Sequence, residues 1–164
     1  MIDKVRSLAN FKTNAMRIIE TNKISYNMYS YEADGDFDGV SVAQKIGKDP
    51  RQVYKTLVTV ATSKKYYVFV VPVLNELDLK ACAASVGEKS VEMIPVKDIN
   101  KITGYIRGGC SPIGMKKQYV TVIDESCKTL DKIVFSAGKI GYQVEISPDE
   151  LINLVSAKVA RIAR

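Results

Sequence analysis

The stretch GYIRGGCSPIGMKK, residues 104–117, combines glycines, one serine, one cysteine and several cations with little apolar periodicity. Because glycine permits backbone conformations that turn several N–H groups toward one point, Gly108 and Gly109 can help to form an anion-binding loop. Such a loop can hold a carbonyl oxygen while negative charge develops on it. A tight turn that lets two strands pack accounts for the same composition. The stretch lacks a P-loop ending, so the sequence does not support binding of a nucleoside triphosphate.

A second candidate is Lys55, which lies within the strongly β-prone segment QVYKTLV. On a strand it shares a face with Val53 and Leu57, an apolar neighbourhood for an ammonium group. One interpretation is a lysine at a sheet edge with its ammonium group in solvent. The other is a lysine at the mouth of a pocket, where it can bind a phosphate or an oxyanion or act as a base. The pattern alone leaves both open.

Three further features are weaker candidates for a site. The small-residue loop 136–141 follows a predicted strand, and a plain β-turn accounts for it. Cys110 invites a nucleophile hypothesis, but only a lysine, a helix N-terminus or the glycine-rich loop could activate it, so a structural role is favoured. Asp34, Asp36 and Asp38 alternate like part of a calcium-binding loop. The rest of that pattern is missing, which favours a solvated turn.

The sequence contains no histidine, and this constrains its chemistry more than any other feature of the composition. Ser-His, Cys-His and His-metal arrangements are excluded, so any catalysis must use lysine, carboxylates, backbone amides, water or a group carried by the substrate. The three cysteines, Cys82, Cys110 and Cys127, have no C-x-x-C spacing, which argues against a disulfide framework and a structural zinc site. We therefore predict no metal site and no cofactor.

Bulk composition limits the class of protein. The chain carries 24 Lys and Arg against 18 Asp and Glu, a net charge of +6 that is compatible with a polyanionic partner such as RNA. The cations are dispersed, however, and no RRM, KH or zinc-finger motif is present. With 164 residues and 46% hydrophobic content, we expect one domain spanning residues 1–164. Without a bilayer-length apolar run or a signal-peptide pattern, we expect a cytoplasmic protein with no membrane contact.

Capping residues and apolar spacing predict the helices that must hold these loops. Thr13 can cap a helix, Ser147 with Glu150 forms a capping box, and Asn75 is a further candidate cap. Gly47 is a predicted left-handed C-cap. The predicted helices cover residues 13–21, 40–47, 75–86 and 96–102, with a last helix beginning at residue 147.

Apolar β-branched runs predict the strands. They cover residues 26–31, 53–62, 66–73, 91–93, 119–123, 132–135 and 141–146, with an edge strand over 158–162. Ser63-Lys64-Lys65 joins the second and third strands as a hairpin, and a turn is expected between residues 123 and 132. The fold class is therefore α+β, a single domain with a mixed, mostly antiparallel sheet that can curl toward a barrel and is flanked by several helices.

Six segments between residues 12 and 157 resemble, in the same order, the YbaK family of bacterial Cys-tRNA(Pro) deacylases and the related editing domain of prolyl-tRNA synthetases. They are KTNAMRIIE, QVYKTLV, FVVPVLNELDLK, TGYIRGGCSPIGMKK, VFSAGKIGYQVEISP and the helix that follows. The glycine-rich stretch together with the upstream KTL is the specific part of the match. The resemblance implies a trans-editing enzyme that hydrolyses the ester between cysteine and a tRNA(Pro) mischarged by prolyl-tRNA synthetase.

The resemblance also implies how the missing histidine is tolerated. Enzymes of this family are thought to supply no nucleophile, because the thiol of the substrate cysteine attacks its own ester carbonyl. Carried over by position, Lys55 is implied to hold the terminal adenosine or its phosphate. Gly108 and Gly109 are implied to orient the ester carbonyl through their amides.

The same comparison implies residues that bind the substrate. Tyr31, Phe37 and Thr56 are expected to line the substrate pocket. Ser136 and Gly138 resemble the second pocket loop of the family. The expected partners are mischarged tRNA(Pro) and prolyl-tRNA synthetase, with the synthetase supplying specificity for the body of the tRNA.

Two positions depart from the family, and three functions stay open beside the cysteine deacylase. Some deacylases have Asp near the position of Gln143, so electrostatic steering of the substrate amine is in doubt, and Cys110 stands where relatives have other residues. In an apolar pocket the binding free energies of a cysteine and an alanine side chain differ by only about 1–3 kcal/mol. The sequence therefore also leaves open an Ala-tRNA(Pro) deacylase that uses water as the nucleophile. The others are a non-enzymatic module that binds an aminoacyl adenosine or another nucleotide, and an interaction protein.

Overall fold

The computed structural model describes residues 11–35 and 38–164, in which eight strands form two sheets flanked by helices. The strands are β1 (Asn27–Ser30), β2 (Tyr54–Ala61), β3 (Tyr66–Pro72), β4 (Val91–Met93), β5 (Val120–Asp124), β6 (Ile133–Ser136), β7 (Tyr142–Ile146) and β8 (Lys158–Ala160). The α-helices are α1 (Asn14–Thr21), α2 (Gly39–Lys45), α3 (Leu79–Ser85), α4 (Ile99–Thr103) and α5 (Pro148–Val155). Two 3₁₀ helices cover Val96–Asp98 and Glu125–Thr129. None of the described helices has the length and apolar character to cross a bilayer.

The two sheets have different sizes and share one junction. Their strand orders are β1-β7-β6 and β4-β2-β3-β5-β8. Four strand pairs are antiparallel, whereas β3–β5 and β5–β8 are parallel. Val53 bridges Val134 between the sheets, and the N–H of Val134 donates to the carbonyl of Gln52 at 2.9 Å. The predicted α+β fold with mixed, mostly antiparallel strands is confirmed, although the strands lie in two joined sheets rather than in one.

The central hairpin separates two apolar clusters. β2 and β3 pair as predicted, and Lys64 in the turn adopts a left-handed φ of 73°. Val68 and Val70 on β3 face the smaller sheet together with α1 and α5, while Phe69 faces α3 on the other side. Because β3 is buried on both faces, its sequence is a continuous apolar run rather than an alternating one.

Most predicted helix ends are confirmed by their capping contacts. The hydroxyl of Thr13 accepts the N–H of Met16 at 3.1 Å. The Ser147 hydroxyl accepts the N–H of Glu150 at 3.2 Å, which confirms Ser147 as the cap, and it donates to the Glu150 carboxylate at 2.9 Å. The carboxylate thus binds the hydroxyl of the cap, whereas in a full capping box it would bind the backbone N–H of the cap. Gly47 follows α2 with a φ of 70°, as a left-handed residue at a helix end should.

The predicted cap at Asn75 is wrong, because α3 begins four residues later at Leu79. Asp78 is the actual N-cap, and its carboxylate accepts the N–H of Ala81 at 3.0 Å. The N–H of Asp78 donates to the carbonyl of Ile162 at 2.8 Å. The segment before α3 therefore pairs with the C-terminal segment, which keeps it extended.

The expected turn between β5 and β6 is also wrong. The two strands belong to different sheets, and the 3₁₀ helix Glu125–Thr129 occupies part of the connection. The buried carboxylate of Asp124 accepts the N–H groups of Ile162 and Ala163, both at 3.0 Å. These bonds hold the end of the chain beside β5, where β8 forms the predicted edge strand.

Candidate active site

A cavity of about 400 Å³ opens where the two sheets meet. Side chains from β2, the glycine-rich segment, α2, α4 and β7 border it. Of the eight residues expected to contact the substrate, five line this cavity: Tyr31, Lys55, Thr56, Gly108 and Ser136. Gly109 and Gly138 are not among its lining residues, and Phe37 lies outside the described residues.

Lys55 reaches the cavity because the first half of β2 has a free edge. β4 pairs only with residues 59–61, so residues 55–58 all border the cavity. The ammonium group of Lys55 lies 3.8 Å from the carboxylate of Glu76, whose side chain is 75% exposed. Because Glu76 is exposed and the separation is long, the pair contributes little to stability, and the ammonium group remains available to a ligand. Lys55 thus occupies both positions that the pattern had left open, a sheet edge and the border of a pocket.

Two hydroxyl groups in the cavity wall have no hydrogen-bond partner among the described residues. They belong to Tyr31 and Thr56, and both oxygen atoms are buried. Tyr31 as a whole is only 9% exposed. A buried hydroxyl without a partner destabilises a fold, and such groups are uncommon in folded proteins. Because both residues border the cavity, they are candidates for contact with a polar ligand.

The glycine-rich segment forms one wall of the cavity. Gly108 lines the cavity and has a φ of 86°, a left-handed conformation that glycine adopts readily. The N–H of Gly109 donates to the carbonyl of Ile106 at 2.9 Å. A Cβ on Gly109 would lie 3.1 Å from the backbone nitrogen of Ile140. Gly109 therefore closes the turn and lets the segment pack on the 136–141 loop, and Gly108 is the better placed of the two to face a substrate.

The 136–141 loop supplies a hydroxyl to the same cavity. Ser136 is 9% exposed, and its hydroxyl accepts the N–H of Gly138 at 3.1 Å. The proton of this hydroxyl can still be donated to a ligand. Gly138 has a φ of 95°, and a Cβ there would lie 2.8 Å from the ring of Tyr105. Gly138 thus shapes the loop rather than contacting the cavity.

Tyr105 connects the two loops and was not singled out from the sequence. Its hydroxyl donates to the carbonyl of Ile113, and its ring packs on Gly138. A Cβ on Gly114 would lie 2.8 Å from the same hydroxyl. Burial raises the pKa of Tyr105 to about 12, so the hydroxyl remains a donor at neutral pH. The sequence feature that could have identified Tyr105 is an aromatic residue placed among glycines, which leave room for its ring.

Arg107 and Gln143 complete the polar lining. Arg107 is exposed and directly precedes Gly108, and Gln143 is 5% exposed on β7. The sequence signal for Arg107 was its place beside the glycine pair. Among the described residues that line the cavity there is no Asp or Glu, so the wall carries two cations and no anion. Such a wall favours an anionic ligand.

Cys110 lines the cavity but has the wrong ionisation state for a nucleophile. Burial raises the pKa of its thiol to about 12, although a hydrogen bond with Thr103 acts in the opposite direction. A thiol is nucleophilic only as the thiolate, which is therefore scarce at neutral pH. The structural role favoured by the sequence agrees with this geometry.

Comparison with known proteins relates the chain to an editing family. A sequence model described as "Aminoacyl-tRNA editing domain" matches residues 38–154. A protein of Enterococcus faecalis named "Putative Cys-tRNA(Pro)/Cys-tRNA(Cys) deacylase EbsC" is 44% identical over 152 residues, which cover 92% of this chain and 93% of that protein.

Two solved structures share the fold. One, described as "hypothetical protein APE2540", has a TM-score of 0.83 and 21% identity, and the match covers 90% of this chain and 97% of the other. The second, described as "a putative trans-editing enzyme for prolyl tRNA synthetase", has a TM-score of 0.80 and 24% identity over 93% of this chain and 98% of the other. At these identities the likeness concerns the fold.

Proposed function

The chain belongs to the YbaK family of aminoacyl-tRNA editing domains, and from this premise we propose that it hydrolyses the cysteine ester of mischarged tRNA(Pro). The observation that carries the proposal is the cavity, which has two cations and no acid among its described lining residues. Its residues Tyr31 and Thr56 carry buried hydroxyls without a partner in the described part of the chain. The name of the Enterococcus faecalis relative supports the choice of cysteine. A cavity of about 400 Å³ is within the range that holds a small ligand such as an aminoacyl nucleoside.

Each polar group of the cavity has a role in this proposal. Lys55 binds the terminal adenosine or its phosphate through its charge. The hydroxyls of Tyr31, Thr56 and Ser136 bind polar atoms of the aminoacyl nucleoside. The N–H of Gly108 orients the ester carbonyl, while Gly109, Gly138 and Tyr105 hold the loops in place. Phe37 is retained as a pocket residue from the family resemblance.

The chemistry requires no nucleophile from the protein. The sulfur of the bound cysteine attacks its own ester carbon, the carbon–oxygen bond to the ribose breaks, and the ribose oxygen takes up a proton. The products are tRNA with a free 3′-terminal hydroxyl and a four-membered cysteine thiolactone, which water opens to free cysteine. The protein accelerates this reaction by holding the sulfur near the carbon and by stabilising the oxyanion.

Two alternatives remain beside the cysteine deacylase. An Ala-tRNA(Pro) deacylase would use a water molecule as the nucleophile in the same cavity. A binding module would hold an aminoacyl adenosine or another nucleotide without cleaving it. The absence of an ionised nucleophile at Cys110 is compatible with all three functions, the cysteine deacylase, the alanine deacylase and the binding module.

Prolyl-tRNA synthetase is the proposed partner. The mischarged tRNA comes from this enzyme, and a complex with it would place the ester near the cavity. Because the cations of the chain are dispersed, we propose that the synthetase supplies most of the contacts with the tRNA body.

The test is deacylation of Cys-tRNA(Pro) by the purified chain, by Lys55→Ala and by Lys64→Ala. Lys64 lies in the hairpin turn and serves as the matched control. We expect the wild type and Lys64→Ala to release cysteine at equal rates and Lys55→Ala to lose about 100-fold in kcat/KM, as for the loss of a hydrogen bond between charged groups that binds the substrate. Full activity of Lys55→Ala would refute the site, and binding without hydrolysis by the wild type would favour the module.

A further inference from the structure

We propose that Arg107, Met93 and Val96 form a nucleotide subsite at the exposed end of the cavity, in which Arg107 binds the 5′-phosphate of the terminal nucleotide and the apolar pair packs on its base. This inference rests on the proposed function, because it assigns the nucleotide end of the same substrate. Neither the sequence patterns nor the family resemblance had singled out these three residues.

The cavity has two chemically different ends. Its inner wall contains the buried residues Tyr31, Val53 and Ser136. Its outer wall contains Met93 and Val96, whose exposed fractions are 45% and 57%. Six large apolar side chains among the described residues are at least 41% exposed, and Met93 and Val96 are the two of them that border the cavity. They therefore offer a ligand at its mouth an apolar surface to cover.

Size determines which part of the substrate occupies which end. The whole cavity measures about 400 Å³, enough for an aminoacyl nucleoside but far too small for a tRNA. The polynucleotide must therefore leave through the open end, and the phosphate that precedes the terminal nucleoside must cross it. The flat face of a base packs well on apolar side chains, and this contact tolerates any base.

Charge supports the same assignment. Arg107 and Lys55 are the two cations of the cavity, and none of its described lining residues is acidic. Lys55 has Glu76 at 3.8 Å, whereas no ion pair of Arg107 is formed within the described residues. Arginine binds phosphate through a planar fork of donors, which makes it a stronger anchor for a phosphate than a solvated lysine.

The first experiment measures binding of adenosine and adenosine 5′-monophosphate by calorimetry. We expect the wild type to bind the monophosphate about tenfold more tightly, and Arg107→Gln to lose most of this preference, since Lys55 is then the remaining cation, while it binds adenosine as before. Arg17→Gln, an exposed arginine of α1, is the matched control and should keep the preference. Equal affinity of the wild type for both ligands, or equal effects of the two substitutions, would overturn the phosphate assignment.

The apolar pair is tested with the same ligands. Val96→Ser should weaken the binding of adenosine and of its monophosphate by the same factor, about threefold to tenfold, because the contact between base and side chain is lost in both complexes. Val120→Ser changes an equally exposed valine on β5 and should have no effect. An unchanged affinity of Val96→Ser for both ligands would refute the base contact.

Hydrolysis of small esters separates this inference from the proposed function. The substrates are the cysteinyl esters of adenosine and of adenosine 5′-monophosphate, and we expect a lower KM for the second that is lost in Arg107→Gln. Hydrolysis of both esters with the same KM would refute the subsite while the deacylase proposal stands. If neither ester nor Cys-tRNA(Pro) is cleaved but the monophosphate still binds through Arg107, the subsite stands and the deacylase proposal fails.

Discussion

Tyr31 and Thr56 border the cavity, and their two buried hydroxyl groups have no partner within residues 11–35 and 38–164. Each one destabilises the folded chain, because a polar group that leaves water without a new hydrogen bond loses about 1–3 kcal/mol. Family resemblance had named both residues. Their lack of partners could not be predicted from the sequence, because it depends on how β2 and the segment after β1 approach each other.

Thr56→Val tests whether a ligand satisfies the hydroxyl, since valine has nearly the same shape as threonine. We expect the free energy of unfolding to rise by about 1 kcal/mol, because an unpaired buried group is removed. Deacylation should fall by about threefold to tenfold in kcat/KM for the loss of one hydrogen bond to the substrate. Urea unfolding and single-turnover deacylation measure the two effects. A variant with lower stability and unchanged activity would contradict the interpretation.

Cys110→Ala separates a cavity-lining thiol from a catalytic one. Because burial raises the pKa of this thiol to about 12, we expect the variant to retain kcat within about threefold of the wild type. The pH–rate profile between pH 6 and 9 should keep its shape. A nucleophile would instead be indicated by a loss of about 1000-fold or more, together with rapid alkylation of Cys110 at neutral pH.

Elements that depend on local patterns were predictable, and those that depend on distant contacts were not. The helix cap at Ser147 and the hairpin around Lys64 lie within a few residues of sequence, and both are confirmed. The start of α3 was misplaced because Asp78 pairs with Ile162, far away in the chain. The same distinction applies to the site, where Tyr105 joins two loops through contacts that the sequence does not display.

Gly138→Ala tests the packing of these loops on Tyr105. The added methyl group would lie 2.8 Å from the tyrosine ring, and the φ of 95° is unfavourable for alanine. We expect a loss of about 1–2 kcal/mol in stability from the backbone strain and a fall of about tenfold in kcat/KM from displaced loops. Gly87→Ala is the control, because Gly87 also has a positive φ but nothing lies within 4 Å of its added Cβ. The site account is wrong here if the two variants have the same activity.

The smaller sheet is fastened by one buried carboxylate, that of Glu145. It accepts hydrogen bonds from Asn27 at 2.9 Å and from the Tyr29 hydroxyl at 3.0 Å, and Lys48 lies 3.2 Å away. Burial alone would raise the pKa of Glu145, but these hydrogen bonds and the charge of Lys48 outweigh it and hold the pKa below its ordinary value. The carboxylate thus joins β1, β7 and the segment before β2.

Glu145→Gln should therefore reduce stability in a pH-dependent manner. A carboxyl group with a lowered pKa in the fold stabilises it above the unfolded pKa of about 4.3, and this contribution disappears as the pH falls through the folded pKa. We expect a loss of about 1–3 kcal/mol at pH 7 that shrinks below pH 4. Urea unfolding at several pH values measures it, with the exposed Glu92→Gln as the control. A loss that is equal at pH 7 and pH 3 would exclude the ionised network.

At the scale of the whole molecule, the net charge of +6 is spread over the chain rather than gathered in a nucleic-acid-binding motif. Within the described ranges, Lys55 and Arg107 are the cations that line the candidate site. This favours recognition of the acceptor end alone, with the body of the tRNA bound by the synthetase. The order of residues in the sequence predicted the dispersed charge. It could not predict that Lys55 and Arg107 share one cavity, because they are far apart in the sequence and only the folded chain brings them together.

The measurement that tests the central claim most directly is deacylation of Cys-tRNA(Pro) and Ala-tRNA(Pro) side by side with the wild-type chain. If the substrate thiol is the nucleophile, the cysteine ester should be cleaved at least about 100-fold faster, because alanine carries no group that can attack its ester. Equal cleavage of both esters would contradict the account and indicate that water attacks the ester carbonyl. Cleavage of neither would also contradict the account and would favour the non-enzymatic binding module.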